Sequence, residues 1–258
     1  MNPRSPGAVR IAETALTALG GAALGGALGL PRGVPLAIAT AVCAGVNGAL
    51  GGWRRVYHWR TAKGWLAFAA DSTWGLVGTT LGNVLHLVNL ARPGSVYRMD
   101  LSRRRNRHVF DRGVTLRPGF AFTLGNVVSH PSAGTGSLTK KQRTLVDRHE
   151  GLHIWQSRAF GPLYQALYLV WGALGLAAGL CTWVVRRDKP SLFRLVEAAA
   201  YYDNPFEYWA YRRTGHWEDN RADPVLKWRR PRWRKKRPAD GSEPHPASSS
   251  PPTAPPAA

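Results

Sequence analysis

The sequence predicts an α+β, membrane-associated protein: a transmembrane helical hairpin, then a small antiparallel sheet joined to a metal-binding helix, then a disordered tail. Three observations carry this expectation. Apolar residues make up 44% of the 258 residues but are gathered in blocks rather than spread evenly. Short β-prone runs separated by turn signals occupy residues 96–130. The stretch DRHEGLHIWQ, residues 147–156, sets His149 and His153 four apart with Glu150 directly after the first.

Residues 11–30 and 34–50 are two apolar runs of near-spanning length, divided by Pro31-Arg32-Gly33 and carrying no charge beyond Glu13. They read as a helical hairpin. Cleavage as a signal peptide is disfavoured, because no small-residue cleavage site with a soluble sequence behind it follows the first run. Gly21, Gly25 and Gly29 share one helix face, which suits close packing within the hairpin or, alternatively, a homo-oligomer through the glycine face.

The formal charge of +20 is concentrated in three blocks. WRRVYHWRTAK at 53–63 follows the hairpin, and Arg4 and Arg10 precede it, so the positive-inside bias places both hairpin ends in the cytoplasm. A second block runs from Arg98 to His108. The third, KWRRPRWRKKR at 227–237, precedes a Pro/Ser/Ala-rich stretch that cannot build a core and is expected to be disordered. Such blocks suit anionic membrane lipids. Nucleic acid is the weaker expectation, since no recognition fold accompanies the basic runs. Cys43 and Cys181 both sit in apolar segments, which excludes a disulfide framework and a thiolate metal site. Any metal must be held by imidazole and carboxylate.

The chain therefore divides into a glycine-rich hairpin with its basic flank (1–63), an interfacial or re-entrant segment (64–95), a metal-binding domain with an embedded apolar segment (96–218) and a basic, then disordered, tail (219–258). Within the second unit, residues 65–91 are long enough to span but contain Asp71, His86 and two asparagines, which favours a pair of short helices. Asp71 and His86 read as buried partners or solvent-facing groups, not as metal ligands. Within the third, VYRMDL, RHVF, GVTL and GFAFTLGNVVS read as strands, and Thr139 with Gln142 forms a capping box that starts a helix running to about Arg158.

On that helix the i, i+4 spacing puts His149 and His153 on one face, where both imidazoles can bind one tetrahedral ion. A shuffled chain of this composition would contain the pattern roughly 0.006 times, so coincidence explains it poorly. A third ligand is required. In YYDNPFEYWAYRR, residues 201–213, Asn204 suits a helix cap and Pro205 the first helical position, leaving Glu207 as either a ligand or the carboxylate of a capping box. Glu197, His216 and Glu218 are reserve candidates.

HEGLHIWQ followed by NPFEYWAY resembles the gluzincin class of metallopeptidases, a zincin-like architecture. The wider set TLGNVV, His-Glu-x-x-His-x-x-Gln, GPL and NPFExxA, over roughly residues 97–215, is similar to a domain of uncharacterised bacterial membrane proteins. The resemblance implies a zinc-dependent peptidase of the bacterial inner membrane, with His149, His153 and Glu207 as zinc ligands and Glu150 as general base. It implies that GFAFTLGNVVS lies beside the ligand helix and pairs with substrate, a peptide or membrane protein. The chain departs from better-known members at Tyr211, where an aspartate often stands; Tyr208, Tyr211 and His216 are the groups available to stabilise an oxyanion. A membrane scaffold with a structural or vestigial zinc site is the alternative reading.

Residues 163–185 raise a conflict. They are uncharged, 23 residues long, and lie between His153 and Glu207, so a single crossing would separate the ligands. The expectation is that this segment enters and leaves by one face, bending near Gly172, Gly175 or Gly179, or packs without spanning; RRDKPSLFRLVEAAAYYDN behind it reads as too polar to return the chain.

Overall fold

The computed structural model describes residues 6–116, 119–130, 139–186 and 191–214. The basic block at 227–237 and the whole 219–258 tail lie outside them, as do His216 and Glu218. Among the described residues the protein is mostly helical with one small mixed sheet.

Helices α1 (Pro6–Gly29) and α2 (Val34–Trp53) form the expected hairpin, turned by a 3₁₀ turn at Leu30–Arg32. The glycine face packs inside the chain: a Cβ added to Gly21 would lie 2.5 Å from the Ala44 carbonyl oxygen of α2, and Gly25 and Gly29 press equally hard on Thr40 and Ala37. Small residues are what permit this approach. Helices α3 (Ala62–Ser72) and α4 (Leu76–Ala91) are the pair of short helices expected over 65–91. Two spans in the N-terminal hairpin and a third at Leu163–Val185 have the length and apolar composition to cross a membrane. Leucines and valines along these helices are solvent-exposed, as lipid-facing residues would be.

The sheet has the order β1-β2-β4-β3, with β1 at Val96–Tyr97, β2 at His108–Asp111, β3 at Phe122–Leu124 and β4 at Val127–His130. It is not the antiparallel sheet that the runs suggest, because β2 and β4 pair in parallel. The chain leaves β2, reaches the far edge as β3, and the β3–β4 hairpin folds β4 back against β2. Of the expected strands, VYRMDL is cut short and GVTL is absent. After Tyr97 the chain winds into α5 (Met99–Ser102), where the Ser102 hydroxyl donates to the Arg98 carbonyl and accepts the Val109 N–H. The GVTL run stays out of the sheet because Val114 gives its N–H to the Asn89 side chain of α4.

Helices cover both sheet faces, which explains why β2 and β4 are buried throughout. Alternation sorts their side chains: Val109 and Val128 join Leu101, Val146 and Ile154, whereas Phe110 and Val127 join Leu85. The first cluster seats the helix that carries His149 and His153. That helix begins at the expected capping box, with Thr139 N–H on Gln142 Oε1 (2.9 Å) and Gln142 N–H on Thr139 Oγ1 (3.2 Å). It runs as α6 (Lys140–Thr144), a π-helical turn (Leu145–Glu150) and α7 (Gly151–Phe160).

Helix α8 (Leu163–Val185) is unbroken at Gly172, Gly175 and Gly179. The chain nevertheless returns along it, through α9 (Leu192–Glu197) and a π-helical turn at Ala198–Tyr202, to α10 (Pro205–Thr214). A Cβ on Gly179 would sit 2.7 Å from the Val196 Cα, and one on Gly175 would overlap Ala200. The stretch that reads as too polar to return the chain thus does so. Its apolar face, Leu195, Ala198 and Ala199, is buried.

Candidate metal centre

Three side chains converge from two helices. His149 is the penultimate residue of the π turn, His153 lies one turn on in α7, and Glu207 projects from the first turn of α10. Their rings and carboxylate are buried, at 3%, 5% and 4% exposure. Glu207 bridges the imidazoles: Oε2 is 3.3 Å from His149 Nε2 and Oε1 is 3.4 Å from His153 Nε2. One ligand atom from each residue falls within 4.8 Å of the others. Ligand atoms about 2.0–2.1 Å from a tetrahedral ion stand about 3.3–3.4 Å apart, and the carboxylate meets each imidazole at that spacing, one through each of its oxygens.

The alternative role for Glu207 is not taken up. Asn204 does cap α10, its Oδ1 accepting the Phe206 N–H at 3.0 Å, but the Asn204 N–H that a capping box would offer Glu207 goes to the Tyr201 carbonyl. Glu207 is left to face the histidines. Burial would lower the proton affinity of His153, but the Glu207 carboxylate more than offsets it and raises the pKa to about 9. Burial likewise opposes ionisation of Glu207, and the two imidazoles hold its carboxyl well below the usual carboxylate range. The trio stabilises positive charge between its members. Glu207 Oε2 also has no partner of hydrogen-bond geometry among the described residues, and neither does His149 Nδ1. A buried carboxylate with one orphaned oxygen facing His149 Nε2 and the other facing His153 Nε2 is a donor set that a divalent cation fits.

The support around the trio was not identified in the sequence. His153 Nδ1 lies 2.8 Å from Gln156 Oε1, which accepts its proton and leaves Nε2 free for a ligand role. Gln156 Nε2 in turn donates to the Phe206 carbonyl at 3.1 Å. Tyr168, from the first turns of α8, donates to Glu207 Oε1 at 2.8 Å, and the Tyr164 hydroxyl stands 3.3 Å from His153 Nδ1. The signal available was spacing: Gln156 lies one turn beyond His153, but its carbonyl partner lies on a helix that only the fold brings near.

Glu150 points toward the sheet. Its Oε2 accepts the Thr123 hydroxyl of edge strand β3 at 2.6 Å, so it stands beside the trio and outside it. Tyr211 packs its ring 4.6 Å from that of His149, with its hydroxyl 3.3 Å from the Tyr201 hydroxyl. The Tyr201 hydroxyl is held protonated by burial, then by the negative charge of Glu207. Glu197 ends α9 and does not join the metal-capable group. Asp71 and His86 do not pair with each other: Asp71 binds the buried Arg158 guanidinium through both carboxylate oxygens at 2.8 Å, while His86 stacks edge-on against His108.

Comparison with family models, curated proteins and solved structures finds no match.

Proposed function

We propose that this chain is a membrane-associated zinc-dependent metallopeptidase in which His149, His153 and Glu207 hold the ion and Glu150 is the general base. The observation that carries this is the return of Glu207 past a 23-residue apolar helix to stand 3.3 and 3.4 Å from the two imidazoles. Two imidazoles and one carboxylate, without thiolate, are a donor set associated with catalytic zinc sites that keep a position open. Zinc there supplies a Lewis acid that acidifies water and polarises a carbonyl.

The chain's own groups divide the remaining work. Glu150 is held by Thr123, free of the ligand set, where it can take a proton from water and return it to the leaving amine. Strand β3 is a sheet edge next to that carboxylate, so an extended peptide adding to it would run past Glu150. Tyr211 packs its ring against His149 and pairs its hydroxyl with that of Tyr201, and these hydroxyls suit a developing oxyanion. Substrate would be a peptide or membrane protein, met from the cytoplasmic side of the membrane if the basic hairpin ends face inward.

One observation favours a second reading, a structural zinc site in a membrane scaffold. Glu150 and all three ligands are at most 5% exposed, so substrate access requires a segment to move. Metal analysis combined with proteolysis separates the two. Wild type is expected to carry about one zinc per chain and His153→Ala none. Glu150→Gln is expected to keep zinc and lose proteolysis. Equal zinc in wild type and His153→Ala removes the site, and full proteolysis in Glu150→Gln removes the base.

A further inference from the structure

A second recess lies behind the ligand helix, on the side away from His149 and His153. It is a cleft of about 600 Å³ between the hairpin junction, the loop before β2, the ligand helix and the end of α10. Its walls present Lys63, Arg105, Arg107, Arg148 and Arg213 against the single carboxylate of Asp147. Arg104 and Arg158 also line it, but they are neutralised by Glu13 and Asp71. Four positive charges thus stand uncompensated around one concavity.

The groups are arranged to receive an anion. Arg107 is buried and anchored, donating to the Val146 carbonyl at 3.0 Å and the Leu101 carbonyl at 3.2 Å while forming a tight pair with Asp147. Arg105 shares the same carboxylate oxygen at 3.4 Å. Lys63 lies over the Trp155 ring at 5.0 Å. Arg148 and Arg213 are exposed, and their side chains have no hydrogen bond or ion pair among the described residues. Like charges facing a shared recess repel one another, and the repulsion is relieved when a multiply charged anion enters. Guanidinium forks match phosphate oxygens in pairs.

We infer that this cleft is a binding site for a phosphate-bearing anion, held by Arg148 and Arg213 together with Lys63, Arg105 and Arg107. The ligand is either a soluble phosphate or the headgroup of an anionic phospholipid. The cleft adjoins the basic junction after α2, and Trp65, two residues on from Lys63 in α3, is 58% exposed, as interfacial tryptophans are. Because Arg148 adjoins His149 and Arg213 lies on the Glu207 helix, the anion would tie the two ligand-bearing helices together from behind. The site stands whether or not the chain is a peptidase.

The test uses the full chain in phosphatidylcholine nanodiscs. Arg148→Gln/Arg213→Gln is compared with Arg143→Gln/Arg212→Gln, which removes the same charge from exposed positions outside the cleft. Pyrophosphate is titrated calorimetrically, and retention of phosphatidylglycerol from mixed nanodiscs is counted by native mass spectrometry. The cleft pair is expected to lose roughly tenfold or more in binding of at least one of these probes, with melting temperature and zinc content unchanged, and the control pair to match wild type. Loss confined to pyrophosphate assigns a soluble ligand, and loss confined to phosphatidylglycerol assigns a lipid headgroup. Equal loss in both pairs, or in neither, overturns the site.

Discussion

Gln156 donates to the carbonyl of Phe206, the residue immediately before Glu207, while its other amide atom accepts from His153. One side chain therefore sets both the tautomer of a histidine and the position of the carboxylate that faces it. Outer contacts of this kind commonly contribute 10–100-fold to metal affinity. Gln156→Ala is expected to weaken zinc binding by about that factor, with Gln156→Glu recovering part of it by accepting from Nδ1. Competition titration against a chelator of known affinity measures the change, and an affinity equal to wild type in Gln156→Ala would remove this role.

The return of the chain along α8 makes a distant glycine part of the site. Gly175 has no room for a Cβ against Ala200, whereas Gly172, on the same helix, faces open space. Gly175→Val is expected to displace the Ala198–Tyr202 turn and α10 with it, lowering zinc occupancy although no ligand is changed. Gly172→Val should behave as wild type. Zinc per chain, measured on both variants at equal helical content, decides the matter; equal occupancy would mean that Glu207 is positioned independently of α8.

Much of this site was legible before the fold was known because its determinants are local. The i, i+4 histidines, the Thr139–Gln142 capping box and the glycine face of α1 depend on spacing along one helix, and the structure places each as spacing predicts. The parallel β2–β4 pair was not legible, because apolar runs carry no record of strand direction. Nor was the polarity of the returning stretch decisive: buried Leu195 of α9 with Ala198 and Ala199 of the turn after it are enough to bring the chain back against α8. Asp71 and Arg158 lie on different helices, and only tertiary contact shows that they belong together.

That ion pair supports the frame on which the ligand helix rests. Asp71 also accepts from Tyr57 at 3.0 Å, and Tyr57 accepts from Asn47 of the hairpin at 2.8 Å, so the network joins α2, α3 and α7. Removing one partner leaves a charge buried, which typically costs about 3–5 kcal/mol, whereas replacing both with apolar groups can be near neutral. Arg158→Met is expected to lower thermal stability in detergent strongly, and Asp71→Leu/Arg158→Met to recover most of the loss. A double variant no better than the single one would show that the pair, not the stranded charge, matters.

The final prediction concerns acid. His86 has neither ring nitrogen in a hydrogen bond among the described residues, and its ring lies 4.5 Å from that of His108. Burial, then the nearby Arg54 guanidinium, pushes the His86 pKa down to about 4, and burial with His86, Arg54 and Arg158 holds His108 well below the ordinary histidine value. Both imidazoles are therefore neutral in the fold and take up protons more readily once unfolded, with an ordinary pKa of about 6.5. Their contribution to stability is complete above about pH 6.5 and is lost as pH falls toward the folded-state values. For His86 the loss is about 2–3 kcal/mol between pH 6.5 and 4.5, at roughly 1.4 kcal/mol per pH unit. His86→Leu forfeits no hydrogen bond and removes the proton, so its melting temperature should fall less steeply than that of wild type over this range. Parallel slopes in the two proteins would assign the acid sensitivity to other groups, with His130, whose pKa burial also lowers, the next to substitute.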